Sequence, residues 1–490
     1  MRTIFPILFQ WFVLLSTLCL AGLIFRSMIL SFTKPSPGGV ASGTGGAGSE
    51  DGAGGNGRGV EGADAVGGTG GDSAGSGKYD RPPFYTVRQP VFWHIILLAA
   101  LSRVILYGVG FLSSRFIINF NAGFFESLTQ LWQRSDAMHF VKIAENWYVN
   151  TGEDRVFLVF LPFFPMLIRL LSYVFGSAVF SGIFLSLTTY FAACVLFYEI
   201  ALLIGQDEDT AYHAVKYAVF FPASFFVNGA FSEGLFLLLT ALFFHCLLRK
   251  KWAAAGCCGL LASFTRYYGL VLAIPYAIEL LQYIMHIYQQ SKTAKSDKSN
   301  KPSQQRQSPA GRPPAGMTAL TASAILWRSA PILLIPAGTG IYLLINYAVS
   351  GNFFQFLIYQ RDHWNQRFAF FFNNMHTLAH NVVSYDRATS ASLFIPQIIC
   401  IVLFIALMFY GVATKFRVSF MAYLGVYYLL SISAYWMLSF PRYIFGAVPL
   451  FSLMSSLGNK SRAADALVTL ACSAGLIFLT IAYTCGFHVY

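Results

Sequence analysis

Residues 178–204 read AVFSGIFLSLTTYFAACVLFYEIALLI, an apolar run with one formal charge, Glu199. A helix needs ~20 apolar residues to cross the hydrocarbon core of a bilayer, and this run is longer. Lipid offers backbone amides no partner, so a segment that enters it must be helical. Comparable stretches recur near 5–30, 91–112, 211–231, 233–248, 252–266, 268–288, 329–349, 393–413, 418–437, 441–458 and 464–486. The alternating pattern of a membrane β-barrel is absent. The expected fold is all-α: a polytopic transmembrane bundle of about 11–13 membrane helices. Residues 156–176 are also apolar but carry Pro162, Pro165 and Arg169, which predicts an interfacial helix there rather than a further crossing.

Composition agrees. Of 490 residues, 56% are hydrophobic and 11% charged, where soluble domains carry roughly 25% charged residues. The net charge of +12 does not point to nucleic acid, because the basic residues cluster in short loops between apolar runs. The eight cysteines lie almost entirely within apolar runs and lack zinc-ligand spacing, which argues against a disulfide framework. Residues 5–30 are long for a signal-peptide core and show no small-residue cleavage site near Lys34, so an uncleaved first crossing is expected.

Two polar segments divide the chain. Residues 36–78 turn abruptly to Gly, Ala, Ser, Asp and Glu, a composition unable to bury enough apolar surface to offset its ordering entropy. Residues 289–328 carry Lys292, Lys295, Lys298, Lys301, Arg306, Arg312 and Arg328 against the single acid Asp297. The predicted organisation is an N-terminal membrane helix (1–35), a Gly-rich disordered linker (36–88) and a first membrane half (89–288) containing an active-site loop (113–176). A basic cytoplasmic loop (289–328) and a second membrane half (329–490) follow. Arg249-Lys250-Lys251, the 289–328 loop, Lys415 with Arg417, and Lys460 with Arg462 all belong on the cytoplasmic side. Counting crossings between them places 113–155, 231–234, 266–268, 350–392 and 438–442 together on the other face.

The ionisable residues of those five segments are the functional candidates, since charge at membrane depth is costly. Asp136 lies in Asp136-Ala137-Met138-His139-Phe140, followed by Glu145; a partly desolvated carboxylate there suits a general base. Glu233 stands between two apolar runs, as a dipole-complementing first-turn acid or as part of a site. Arg266 ends one crossing and Arg442 begins another; snorkelling to headgroups is the structural alternative for each. Arg361 and Trp364 pair a cation for phosphate with an aromatic face for a sugar, although an interfacial Trp is also a membrane anchor. His376 and His380 are spaced as ligands on one helix face but lack a third partner, so no metal is implied.

At these residues the chain resembles the GPI mannosyltransferase 2 family and its prokaryotic relatives. The resemblance rests on Asp136-Ala137-Met138-His139-Phe140 with Ile143-Ala144-Glu145 and the Phe-Phe-Pro of 163–165, and on Phe231-Ser232-Glu233 after an upstream Pro-Ala-Ser. Thr265-Arg266 with Gly269-Leu270, and Pro441-Arg442-Tyr443, complete it. In order and spacing it spans roughly residues 91–460. It implies the GT-C architecture, with a site on the non-cytoplasmic face, and transfer of mannose from dolichyl-phosphate-mannose with inversion. It implies Asp136 as the catalytic carboxylate, with His139, Glu145, Glu233, Arg266, Arg361, Trp364 and Arg442 as substrate-binding candidates. The donor is then a polyprenyl- or dolichyl-phosphate sugar, and the acceptor a lipid-linked glycan such as a GPI-anchor precursor or a bacterial envelope glycan. Neither a cofactor nor a nucleic-acid partner is implied, and an accessory membrane subunit stays open. The compartment is the endoplasmic reticulum membrane in a eukaryote and the plasma membrane in a prokaryote. The chain departs from the family in having Ser135 rather than Trp before Asp136, in a 350–392 loop closer to the prokaryotic branch, and in its Gly-rich insert. A transporter or flippase is the rival from another class, and it predicts broken helices, midplane charges and repeated halves, of which no repeat is visible. A non-catalytic scaffold leaves the charged face without a purpose.

Overall fold

The computed structural model describes residues 4–33, 87–299 and 322–490. The 36–78 segment and the middle of the 289–328 loop lie outside these residues. In chain order the helices are α1 (Ile4–Thr33), α2 (Gln89–Ile117), α3 (Phe124–Gln130), α4 (Asp136–Asn146), α5 (Phe163–Phe175), α6 (Ala178–Leu203), α7 (Glu208–Phe220), α8 (Glu233–Leu248), α9 (Trp252–Thr265) and α10 (Ala273–Ser299). Then come α11 (Ala322–Ser329), α12 (Leu334–Ser350), α13 (Gln355–Trp364), α14 (Phe371–Ser384), α15 (Arg387–Thr389), α16 (Ile395–Ala413), α17 (Val418–Ile432), α18 (Phe440–Phe445), α19 (Pro449–Gly458) and α20 (Arg462–Thr484). Among the described residues the one β feature is an isolated bridge, Phe368 to Ala434.

The protein is an integral multi-pass membrane bundle. Among the described residues, seven helical stretches are long and apolar enough to cross a bilayer: α1 (Ile4–Phe32), α2, α6, Tyr267–Gln289, Ile325–Ser350, Arg387–Ala413 and α20. The count rises to nine if two bent pairs each form one span. Local chemistry sets the ends. Ser177 Oγ accepts from Phe180 N at the start of α6, and Asp207 Oδ1 from Thr210 N at 2.8 Å at the start of α7. Gly176 and Gly351, at φ +70° and +75°, close α5 and α12 in the left-handed region.

Four stretches differ from the sequence expectation. Residues 211–231 are not one crossing: α7 stops at Phe220 and a 3-10 turn, Pro222–Asn228, follows. Pro222 lacks an amide hydrogen and disfavours helix at the residue before it. That turn and α8 then bend by 111°. Residues 156–176 are a 3-10 turn, Glu153–Val159, bent 115° from α5, with Pro162 at the joint. Residues 441–458 split into α18 and α19 around Gly446 and Pro449. The basic loop is partly helical, because α10 runs on to Ser299 before Pro302 and α11 starts at Ala322.

A buried arginine fixes the first break. Arg103, 2% exposed on α2, donates from Nη1 to Ser224 O at 2.6 Å and from Nη2 to Val219 O at 2.8 Å. It thus satisfies carbonyls that α7 and the 3-10 turn leave open where the helix stops. Asn228 Nδ2 donates back to Arg103 O at 3.3 Å.

Charge also divides the bundle end from end. Glu233 begins α8, and Arg249-Lys250-Lys251 follow its last turn, roughly 24 Å away at 1.5 Å per residue. At that far end Glu279 of α10 accepts from Arg417 Nε and Nη2, both at 2.7 Å, from Lys250 Nζ at 2.9 Å and from Ser419 Oγ at 2.6 Å. Two loops predicted on charge alone to share one face therefore meet on one carboxylate.

Candidate active site

The near end of the bundle carries a four-residue ion cluster. Asp136 opens α4, Glu233 opens α8, Arg266 sits between α9 and the 3-10 turn Tyr267–Leu272, and Arg442 lies in α18. Arg442 Nη1 donates to Asp136 Oδ2 at 2.6 Å, and Arg442 Nε donates to Glu233 Oε1. Arg266 Nη1 reaches the same Glu233 oxygen at 2.6 Å and Ser232 Oγ at 3.4 Å. Two carboxylates and two guanidinium groups leave the cluster with no formal net charge.

Exposure rises across it. The Glu233 side chain is 1% exposed, Arg442 6%, Arg266 15% and Asp136 26%. Glu233 is thus a buried anchor, whereas Asp136 stands at the open edge where a substrate can reach it. Charges buried this deeply persist only when paired. Among the described residues, Arg442 commits Nε and Nη1, and Arg266 commits Nη1. Donor capacity therefore remains on both for an incoming oxyanion.

Apolar walls strengthen these contacts by excluding water. The Arg442 guanidinium lies 4.7 Å from the Phe226 ring centre and 4.9 Å from that of Phe231, and Arg266 lies 5.9 Å from that of Phe236. Gly234 permits the packing beneath Glu233: a Cβ there would fall 2.2 Å from Ser186 O of α6. Tyr483 OH of α20 donates within reach of Trp132 O and Arg134 O, at 3.3 and 3.2 Å, and Arg134 Nη1 donates to Tyr483 O at 3.0 Å. This clasp holds the approach to Asp136. Ser135, just before it, has φ +54°, a conformation uncommon outside glycine and asparagine.

His139 lies one turn after Asp136 with its ring centre 4.5 Å from that of Phe157 and 5.3 Å from that of Phe160. Its Nδ1 is buried without a hydrogen-bond partner. Burial pushes its pKa below the ordinary histidine value, against the opposing pull of the Asp136 charge. The ring is therefore neutral at physiological pH.

The structure thus brings Asp136, Glu233, Arg266 and Arg442 into contact and sets His139 beside them. Glu145 and Arg361 stand apart from the cluster: both are exposed, and Arg361 pairs with its neighbour Asp362 at 2.7 Å. Trp364 is half-buried against Phe160 at 5.9 Å and belongs to the small core of Ile143, Tyr148, Phe157 and Leu158. It packs the active-site loop rather than presenting an open ring. Among the described residues no group of three His, Cys, Asp or Glu is arranged to hold a metal ion.

Sequence reasoning named Phe231 only within the Phe231-Ser232-Glu233 block and assigned no role to Phe226 or Arg103. Within an apolar run a phenylalanine does not show that it faces a guanidinium. Arg103 did give a signal, as the single charge inside 91–112.

No protein-family model matches the chain, and no curated protein sequence matches it. Among solved structures it is similar to the Archaeoglobus fulgidus oligosaccharyltransferase, in the apo form, at 11% identity and a TM-score of 0.40. The match covers 82% of this chain and 57% of that one, so the chain corresponds to little more than half of that protein.

Proposed function

We propose that the protein is a glycosyltransferase of GT-C type that transfers a sugar, mannose by the sequence resemblance, from a polyprenyl- or dolichyl-phosphate donor to a glycolipid hydroxyl. The observation that carries this reading is the Asp136–Arg442–Glu233–Arg266 cluster. It combines an accessible carboxylate with two arginines held on a buried counter-ion.

The chemistry follows from the charges. The acceptor oxygen attacks the anomeric carbon as the bond from that carbon to the phosphate oxygen breaks. The acceptor proton passes to an Asp136 carboxylate oxygen. Negative charge develops on the departing lipid phosphate, and Arg442 and Arg266 stabilise it. Glu233 holds both guanidinium groups in place before substrate arrives, which lowers the reorganisation needed during reaction. His139, neutral and walled by Phe157 and Phe160, shapes the acceptor side. The non-cytoplasmic face, a lipid-linked glycan acceptor such as a GPI-anchor precursor, and the endoplasmic reticulum in a eukaryote belong to the same reading.

Transport is the second reading, and the 111° break before Glu233 favours it, since transporters place ionisable groups on broken helices. Purified protein incubated with radiolabelled dolichyl-phosphate-mannose and a glycolipid extract separates the two. Labelled glycolipid in detergent, where no compartments exist, supports transfer. Labelled-lipid movement across sealed vesicles without product overturns it.

A further inference from the structure

The 3-10 turn Glu153–Val159, capped by Phe160, has a front that walls His139 and a back that faces other elements. Phe157 and Phe160 are three residues apart, so in a 3-10 turn they lie one above the other. Their ring centres stand 4.5 and 5.3 Å from that of His139. Phe160 N donates to Phe157 O at 3.0 Å and closes the turn. The carbonyls that follow, of Leu158, Val159 and Phe160, then need donors, because a helical turn leaves its last carbonyls open. The chain itself is short of them, since Pro162 has no amide hydrogen. Leu158 and Val159 are buried, and a carbonyl left unpaired away from water is costly.

Three tyrosines from three separate elements supply the donors. Tyr148, in the loop after α4, donates to Phe160 O at 2.7 Å. Tyr342 of α12 donates to Leu158 O at 2.7 Å. Tyr267 OH, at the start of the 3-10 turn Tyr267–Leu272, lies 3.2 Å from Val159 O and 3.0 Å from the Tyr342 oxygen. Three consecutive carbonyls thus each face a phenol. The rings are fixed in turn: Phe356 of α13 packs at 5.5 Å on Tyr267 and at 5.3 Å on Tyr342.

The front of the turn meets α4, the helix that carries Asp136. Lys142 Nζ of α4 lies 3.6 Å from Asp154 Oδ1 and 5.6 Å from the Phe157 ring centre. Both charged groups are exposed, so this latch is weak beside the buried phenol bonds. Tyr267 directly follows Arg266, so the back of the turn is registered on the segment that carries an arginine of the ion cluster. The tyrosines therefore set where the aromatic wall stands relative to Asp136 and to Arg266 alike.

We infer that Tyr148, Tyr267 and Tyr342 are positioning residues for the acceptor. They touch no reacting atom. They hold Phe157 and Phe160 at the distance from His139 at which the acceptor is received beside Asp136. The inference rests on the transferase reading, in which the acceptor enters on the His139 side.

The test uses the full chain in detergent and Tyr→Phe variants, which keep each ring and remove only the hydroxyl. Tyr342→Phe should raise the acceptor KM about fivefold, the scale of one net hydrogen bond, and leave kcat and the donor KM within about twofold. Tyr148→Phe combined with Tyr342→Phe frees the carbonyls on both sides of Val159 and should raise the acceptor KM to about twentyfold. Amide exchange across residues 153–161, followed by mass spectrometry, should quicken in both variants and stay unchanged in α8. Tyr276→Phe is the control, because its hydroxyl donates to Arg328 O at 2.6 Å beside Trp252, at the opposite end of the bundle. It should lower the thermal midpoint comparably and leave the acceptor KM alone. If Tyr342→Phe behaves like that control, with a lowered midpoint and an unaltered acceptor KM, the hydroxyls are structural only and the inference is overturned. Unquickened exchange across 153–161 would overturn it as well. If wild type transfers no sugar while exchange in Tyr342→Phe quickens, the transferase reading falls and takes the acceptor role with it, leaving only the clamp on the turn.

Discussion

Arg442 Nη1 and Asp136 Oδ2 meet at 2.6 Å although 306 positions separate the residues. The contact joins a helix start in the first large loop to a short helix near the C-terminus, so the site closes only when both halves of the bundle have assembled. It also holds the most exposed carboxylate of the cluster by one oxygen, leaving the other for an acceptor.

Asp136→Asn preserves size and removes the proton acceptor. Transfer should fall at least ~100-fold, the lower end of a general-base contribution. The variant should accumulate normally and still bind donor lipid. Asp136→Glu should recover little, because the added methylene displaces the carboxylate. A fully active Asp136→Asn enzyme would dismiss the proposed base.

Glu233→Gln removes the anion shared by two guanidinium groups. Breaking a buried ion pair from one side costs roughly 3–5 kcal/mol, so the thermal midpoint in detergent should drop clearly. Arg266→Lys retains charge but loses the planar fork. It should raise the donor KM while leaving measurable turnover. Equal stability of Glu233→Gln and wild type would contradict the anchoring role.

Gly234→Ala should act through packing alone. Its Cβ would meet Ser186 O at 2.2 Å, a backbone atom that cannot rotate away. Separation of α6 from α8 would shift Glu233, so lowered midpoint and lowered transfer should appear together. An unchanged midpoint would show that the two helices part at no cost.

His139 predicts a pH dependence. Its folded-state pKa lies below the ordinary histidine value, so the unfolded chain binds the extra proton more readily. Stability from this group is complete above about pH 6.5, the unfolded value, and is lost as pH falls toward the folded pKa. Thermal midpoints between pH 7.5 and 5.5 should therefore fall more steeply in wild type than in His139→Phe. Parallel curves would mean that the buried ring does not titrate in this range.

The orientation follows from loop charge. In a cysteine-free background, Thr151→Cys and Ser303→Cys should react with an impermeant maleimide from opposite faces of sealed vesicles. Labelling from one face would reverse the placement of the site relative to the basic loop.

Asp136, Glu233, Arg266 and Arg442 were legible because a charge between apolar runs is conspicuous, and loop charge alone assigned them to one end of the bundle. Their pairing was not legible, since nothing in sequence spacing tells which guanidinium meets which carboxylate. The breaks at Pro222 and at Gly446 to Pro449 were written in the sequence, yet continuous apolarity outweighed them. An apolar run has the same composition whether it crosses or turns back. The packing of Trp364 was not legible for a related reason: an aromatic ring beside charges looks the same in sequence whether it packs a loop or faces a ligand.

Arg103 bears on how the protein is made. Its acceptors at Val219 and Ser224 lie 116 and 121 residues further along the chain. During synthesis α2 emerges well before them, with a guanidinium and nothing to bind it. Lodging an arginine at the centre of a lone helix costs about 2.5–3.5 kcal/mol on insertion scales. The second helix stays apolar enough to cross the bilayer, but its arginine gains its acceptors only when the corner at Phe221 and Pro222 arrives. Until that corner docks, the guanidinium of α2 has to find its partners in water or lipid headgroups.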